Sequence, residues 1–188
     1  LGRIFQMLER ERIGQDTVVL FTADHGDMLS SHGRWDKQIW YEESINVPFV
    51  LRYPRRVPAG LLSGTVVNVV DILPTLAGLA GIRRPDSAQG GNVLGQARGA
   101  EAALIANYMP FARQAFDYPE WRGVRTATHT YVETRGGPLE LFDNQRDPYQ
   151  LDNLAGRAAL SALQARLAAR LRDLLAATGD RFEPREAY

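Results

Sequence analysis

An apolar run rich in β-branched residues, Val18-Val19-Leu20-Phe21-Thr22, stops abruptly at Asp24-His25-Gly26-Asp27. Such a run reads as a buried strand that delivers polar side chains at its carboxyl end. In open α/β sheets ligands bind beyond the carboxyl ends of the strands, so Asp24 and His25 are candidate metal ligands, and Gly26 lets the backbone turn sharply after them. Upstream, Leu1, Ile4, Phe5 and Leu8 recur on one face of a helix over 1–12, with Gly14 as its stop. This helix, a turn at Gln15-Asp16 and a strand over 17–22 form the second half of a crossover whose first strand would precede residue 1. The chain also opens at Leu1 without an initiator methionine, so we expect the natural N-terminus to lie upstream.

Lys37 follows thirteen positions after Asp24, and among 22 basic residues it alone is lysine. An arginine-favouring coding bias would explain the excess of arginine. A site that requires a compact ammonium with rotatable donors would explain the exception, because a guanidinium fork cannot replace it.

The Asp24-His25-Gly26-Asp27 turn, His32-Gly33-Arg34-Trp35-Asp36-Lys37, Tyr41-Glu42-Glu43-Ser44 and Val47-Pro48-Phe49-Val50 together resemble the C-terminal catalytic half of the sulfatase family. That family belongs to the alkaline phosphatase-like superfamily, which includes phosphonate and phosphate ester hydrolases. The resemblance implies a metal-dependent hydrolase of sulfate esters such as aryl sulfates, or of phosphonate or phosphate esters. It implies that Asp24 and His25 ligate a divalent cation and that Lys37 holds an oxygen of the transferred sulfuryl or phosphoryl group; His32, in a Ser-His-Gly turn where the family varies, is a candidate site-lining catalytic residue. Oxygen donors with an imidazole suit calcium, magnesium or manganese, and zinc is compatible. A cation of this kind takes about six ligands, so two adjacent residues are only part of a set. In the family the remainder comes from an upstream acidic pair and a formylglycine made in a Cys/Ser-x-Pro-x-Arg motif. The chain has no cysteine, and Ser30, Ser31, Ser44, Ser63, Ser87 and Ser161 all lack the following Pro and Arg. The formylglycine is therefore expected in a missing N-terminal half, and no hydrolase activity is expected of this chain alone.

Pro48 places the next strand, over 47–53, at an edge or at its own start. Asp71 caps a helix with Pro74 in its first turn and Gly81 as its stop, and Thr65 to Val70 is either a short strand or the run-in to that helix. Residues 83–100 form an irregular connection. Ala103–Met109, Val124–Ala127, Thr130–Thr134 and Leu139–Phe142 read as strands, the last three forming an antiparallel meander with His129 exposed in a turn. Asn153 is a candidate cap, and Leu160, Leu163, Leu167, Leu171, Leu174 and Leu175 stripe one helix face up to Gly179. Trp121 to Arg125, Glu140 to Asp143, Asp147-Pro148 and Asn153-Leu154 extend the resemblance to the C-terminal subdomain of sulfatases.

The expected fold is α/β: an alkaline phosphatase-like sheet portion over 1–82, then a small antiparallel sheet subdomain over 83–188 packed on a C-terminal helix. With 45% apolar and 23% charged residues the chain is globular, and its formal net charge of zero leaves no electrostatic footprint for nucleic acid or an anionic membrane. No apolar run approaches the ~20 residues that span a bilayer. A sheet lacking part of its strands would expose apolar faces, so self-association of the chain is predicted. Two rival readings are a phosphodiesterase or phosphomutase of the same superfamily, and a non-catalytic module that binds anions or a partner. Asp27, Glu42 and Glu43 read as loop or helix-end charges. Trp35 and Trp40 read as pocket lining or as anchors of the loop.

Overall fold

The computed structural model describes residues 1–94, 101–108 and 120–182. Gly95 and the expected strand end at Met109 lie outside the described residues. Elements follow in the order α1 (Gly2–Arg10), β1 (Val19–Thr22), α2 (Glu42–Ile45), β2 (Phe49–Arg52), α3 (Ile72–Ala80), β3 (Ala102–Asn107), β4 (Trp121–Thr126), β5 (His129–Thr134), β6 (Gly137–Asp143) and α4 (Ser161–Thr178). They divide into two compact units. Leu1–Asp24 with Val47–Gly99 make one, and His25–Asn46 with Ala100–Tyr188 make the other.

In the first unit β1 and β2 pair antiparallel, with Phe21 opposite Val50 and Thr22 opposite Phe49. Pro48 stands just before β2, where its missing N–H costs no ladder bond. Helix α1 stops at Arg10, before the expected Gly14, because Arg12 adopts a left-handed φ of 57° that breaks the helical turn. Arg52 then ties the end of β2 to this corner: its Nη1 donates to the Gly14 carbonyl at 2.8 Å, and its guanidinium lies 5.5 Å from the Phe5 ring. Residues 65–70 turn out to be a run-in, ending in a 3-10 turn at Val69–Asp71. Asp71 precedes α3 but, against expectation, makes no side-chain cap bond to it; its buried carboxylate instead accepts from the Asn68 and Gly91 backbone N–H groups, both at 2.8 Å. Gly81 ends α3 with a φ of 70°, the left-handed conformation glycine adopts most cheaply.

The second unit is built on a four-stranded antiparallel sheet in the order β3-β4-β5-β6. Side chains alternate across a strand, so neighbours such as Tyr131 and Val132 face opposite ways. On one face Leu167, Leu171 and Leu175 of α4 pack against Val124, Tyr131 and Leu141. Burying each leucine contributes roughly 1.5–3 kcal/mol. On the other face Met28, Ile39, Trp40 and Tyr41 pack against Trp121, Val132 and Phe142. The segment after the Asp-His-Gly turn is thus the second cover of the sheet. Two local expectations change. Asn153 does not cap α4; its Oδ1 accepts from the Leu141 and Ala155 N–H groups and its Nδ2 donates to the Leu139 carbonyl, which clips the following turn to β6. His129 begins β5 half-buried, with Nδ1 2.7 Å from the Thr128 hydroxyl, because the two-residue hairpin turn falls one position earlier than expected, at 127–128.

Candidate functional site

The segment from His25 to Ile45 carries an unusual backbone. Leu29, Ser30, His32, Asp36 and Gln38 all have positive φ, from 43° to 79°, and Gly33 joins them at 67°. Left-handed conformations in non-glycine residues cost on the order of 1 kcal/mol or more each and persist where surrounding contacts over-determine them. Those contacts are present. Met28 N–H donates to the Asp36 carbonyl and Ser30 N–H to the Arg34 carbonyl, both at 2.8 Å. The Gln38 carbonyl accepts from Trp121 Nε1 and Asn107 Nδ2, each at 3.3 Å. Trp40 is completely buried and meets the Trp121 ring edge-on at 5.4 Å, so it anchors the loop, whereas Trp35 is 66% exposed.

Helix α2 braces the turn. Gly26 N–H donates to the Ser44 carbonyl at 2.8 Å, and a Cβ on Gly26 would stand 1.8 Å from the Glu43 carbonyl oxygen. Only glycine permits that approach. Helix α2 is itself pinned to the sheet. Arg125 of β4 grips the Glu42 carboxylate in a fork, with Nε at 3.0 Å and Nη2 at 2.9 Å, and the buried Gln150 caps Glu42 N–H with its Oε1 at 2.8 Å.

His25 and Asp24 are exposed at the end of β1. His25 Nδ1 lies 2.7 Å from the Gly26 carbonyl oxygen. A carbonyl only accepts, so Nδ1 is the nitrogen that donates, the arrangement in which metal-ligating histidines are held by backbone carbonyls. The donor chemistry of Asp24 and His25 thus fits a divalent cation. No group of three or more metal-binding side chains converges among the described residues. Lys37 is half-buried on the braced loop and, among the described residues, has neither a hydrogen-bond nor an ion-pair partner. His32 is nearly buried, stacks on Tyr41 with ring centroids 3.7 Å apart, and sets Nε2 3.9 Å from Glu43 Oε1. Asp27 caps its own turn through Leu29 N–H at 3.0 Å. On the sheet face below, burial pushes the Glu140 carboxyl up to about 7, against the opposing pull of the Arg34 guanidinium. The sequence reading missed Arg125, Gln150 and Glu140; the pairs they form join residues about a hundred positions apart, and no local pattern announces them.

Residues 30–177 match the family described as N-sulphoglucosamine sulphohydrolase, C-terminal, a stretch that includes His32 and Lys37 and begins after His25. The ulvan-active sulfatase of Formosa agariphila is 35% identical over 100% of this chain and 38% of its own length. A solved structure in complex with its substrate D-glucosamine-2-N,6-O-disulfate superposes with a TM-score of 0.87 at 27% identity, over 96% of this chain and 38% of that one. The phosphonate monoester hydrolase of Agrobacterium radiobacter follows with a TM-score of 0.79 at 26% identity, over 94% and 38%. The chain therefore spans less than half the length of the relatives it matches.

Proposed function

Because the chain belongs to the sulfatase family and corresponds to its C-terminal portion, we propose that it supplies the anion-holding lysine and part of the metal-binding set of a sulfate ester hydrolase. The observation that carries this reading is the Lys37 ammonium, which has no hydrogen-bond or ion-pair partner among the described residues and stands on a strained loop that begins at the Asp24-His25 turn. Asp24 and His25 would hold a divalent cation, calcium, magnesium or manganese. Such an ion, when bound, neutralises charge developing on the oxygens of the transferred group. Lys37 holds a non-bridging oxygen of that group through a fixed ammonium whose position costs no rearrangement during reaction. His32, shielded from water by Tyr41, offers a nitrogen that accepts or returns a proton. The nucleophile, a formylglycine, would come from outside these residues, so the chain alone is proposed to be inactive. The ladder partners Phe21 and Val50, 44% and 60% exposed, form an apolar surface through which the isolated chain would self-associate, and a strictly monomeric species in concentrated sedimentation runs would contradict this.

The test joins this chain to an upstream half that carries the Cys/Ser-x-Pro-x-Arg motif and assays aryl sulfates and phosphonate monoesters with and without chelator. Metal-dependent hydrolysis is expected, abolished by Lys37→Ala and by Asp24→Asn; full activity in either variant rejects the assignment. The likeness to a phosphonate monoester hydrolase favours one second reading, and faster turnover of phosphonate than of sulfate esters would select it.

A further inference from the structure

As an acidic residue in the first turn of α2, Glu43 has an ordinary explanation as a helix-end charge. Its surroundings argue for more. The His32 ring lies almost parallel to Tyr41, 8° between planes at 3.7 Å, so one face of the imidazole is fixed. Its Nε2 lies 3.9 Å from Glu43 Oε1, an ion-pair distance too long for a hydrogen bond, with both side chains largely withdrawn from solvent at 13% and 30% exposure. The His32 backbone sits at a φ of 54°, a conformation that costs energy, and the Gly33 and Arg34 N–H groups lock the turn by bonding to Ser30 and Ser31 carbonyls at 3.0 Å. Glu43 in turn cannot drift, because its own carbonyl packs against Gly26 and its neighbour Glu42 is forked by Arg125.

We infer that Glu43 is the positioning residue for His32, holding the imidazole as the Nε2–H tautomer while Tyr41 fixes the ring plane. A carboxylate facing one ring nitrogen favours the proton there, which leaves Nδ1 as the nitrogen open to a ligand. The chain then contains two histidines with opposite assignments. His25 donates from Nδ1 to its carbonyl partner, and His32 carries its proton on Nε2 and offers Nδ1. The inference rests on the reading of His32 as a site residue, but its primary test does not need turnover.

The test is imidazole 15N–13C NMR on this chain, whose three histidines are assigned with a His32→Gln variant. His32 is expected as the Nε2–H tautomer. Glu43→Gln, which keeps the shape and removes the charge, is expected to shift the His32 nitrogen resonances toward a tautomer mixture while the ring-current shift from Tyr41 and the backbone amide spectrum stay in place. Tyr41→Leu is expected to remove the ring-current shift. A wild-type His32 protonated at Nδ1, or nitrogen resonances that do not move in Glu43→Gln, overturns the inference. In the joined hydrolase, Glu43→Gln is expected to lower kcat about tenfold with KM unchanged, less than the ~10²–10⁴ expected for loss of an acid–base group itself. If the tautomer is as expected and the joined protein hydrolyses nothing, the hydrolase reading fails and the positioning stands. If hydrolysis is intact and the tautomer unbiased, the positioning fails alone.

Discussion

Removing the charge of Glu140 tests how the sheet face beneath the loop is built. Burial holds the Glu140 carboxyl at about 7 against an ordinary value of 4.5, with only the Arg34 guanidinium opposing it. The folded chain thus binds this proton more tightly than the unfolded chain. Glu140 favours folding fully below pH 4.5, and that contribution is lost as the pH rises through 7. At 1.36 kcal/mol per tenfold in proton affinity, the loss is at most about 3 kcal/mol, most of it accruing between pH 5 and 8. Glu140→Gln has no proton to lose. Relative to the wild type it should be nearly neutral at pH 5 and more stable by about 2–3 kcal/mol at pH 8. Urea unfolding of both proteins at pH 5, 6.5 and 8, followed by fluorescence of the buried Trp40 and Trp121, measures the difference at each pH, so titrations common to both cancel. A difference that stays flat with pH, or a variant less stable than the wild type at pH 8, refutes the reasoning.

Gly26→Ala should destabilise the second unit by about 2–4 kcal/mol, because a Cβ 1.8 Å from the Glu43 carbonyl forces α2 or the turn aside; thermal unfolding reports it, and a change within 0.5 kcal/mol would contradict the close approach. A double-mutant cycle on Arg125→Leu and Glu42→Gln should give a coupling of about 1–2 kcal/mol for the partly buried fork, and additive effects would show the pair to be incidental. Arg122, 2% exposed and bonded to Glu120 at 2.8 Å and Asp180 at 2.5 Å, should cost about 3–5 kcal/mol as Arg122→Met, since the Asp180 carboxylate loses its ion-pair partner and Glu120 keeps only Arg135; a neutral result by urea unfolding would reject this account.

The elements that local pattern dictates were legible in the sequence. The leucine stripe of α4, the meander, the stop at Gly81 and the Asp-His-Gly turn after an apolar run each follow from spacing over a few residues. What local pattern does not carry was hidden. Arg125 meets Glu42 across 83 positions and Gln150 reaches Glu42 across 108, so neither neighbourhood announces the pairing. Trp35 and Trp40 look alike in sequence, and only the path of the backbone separates an exposed ring from a fully buried one. Asn153 reads as a cap because asparagine commonly caps, yet its three bonds serve β6 and the turn beside it.

The C-terminal sheet acquires a purpose from the strain in the loop laid over it. Five non-glycine residues in left-handed conformations between positions 29 and 38 cost together on the order of 5 kcal/mol or more, comparable with the whole net stability of many domains. A free loop would relax. Here Trp40 and Ile39 are sunk into the sheet face, the Gln38 carbonyl is held by Trp121 and Asn107, and the helix behind Gly26 and His32 is pinned by Arg125 and Gln150. Every one of those partners on the sheet side lies at or beyond position 105, far downstream of the histidines and the lysine they hold in place. The sheet is therefore the template on which His25, His32 and Lys37 are positioned. Substitutions on its loop-facing side, at Trp121 or Arg125, should disturb the site more than equal losses of stability on the α4 side, at Leu171.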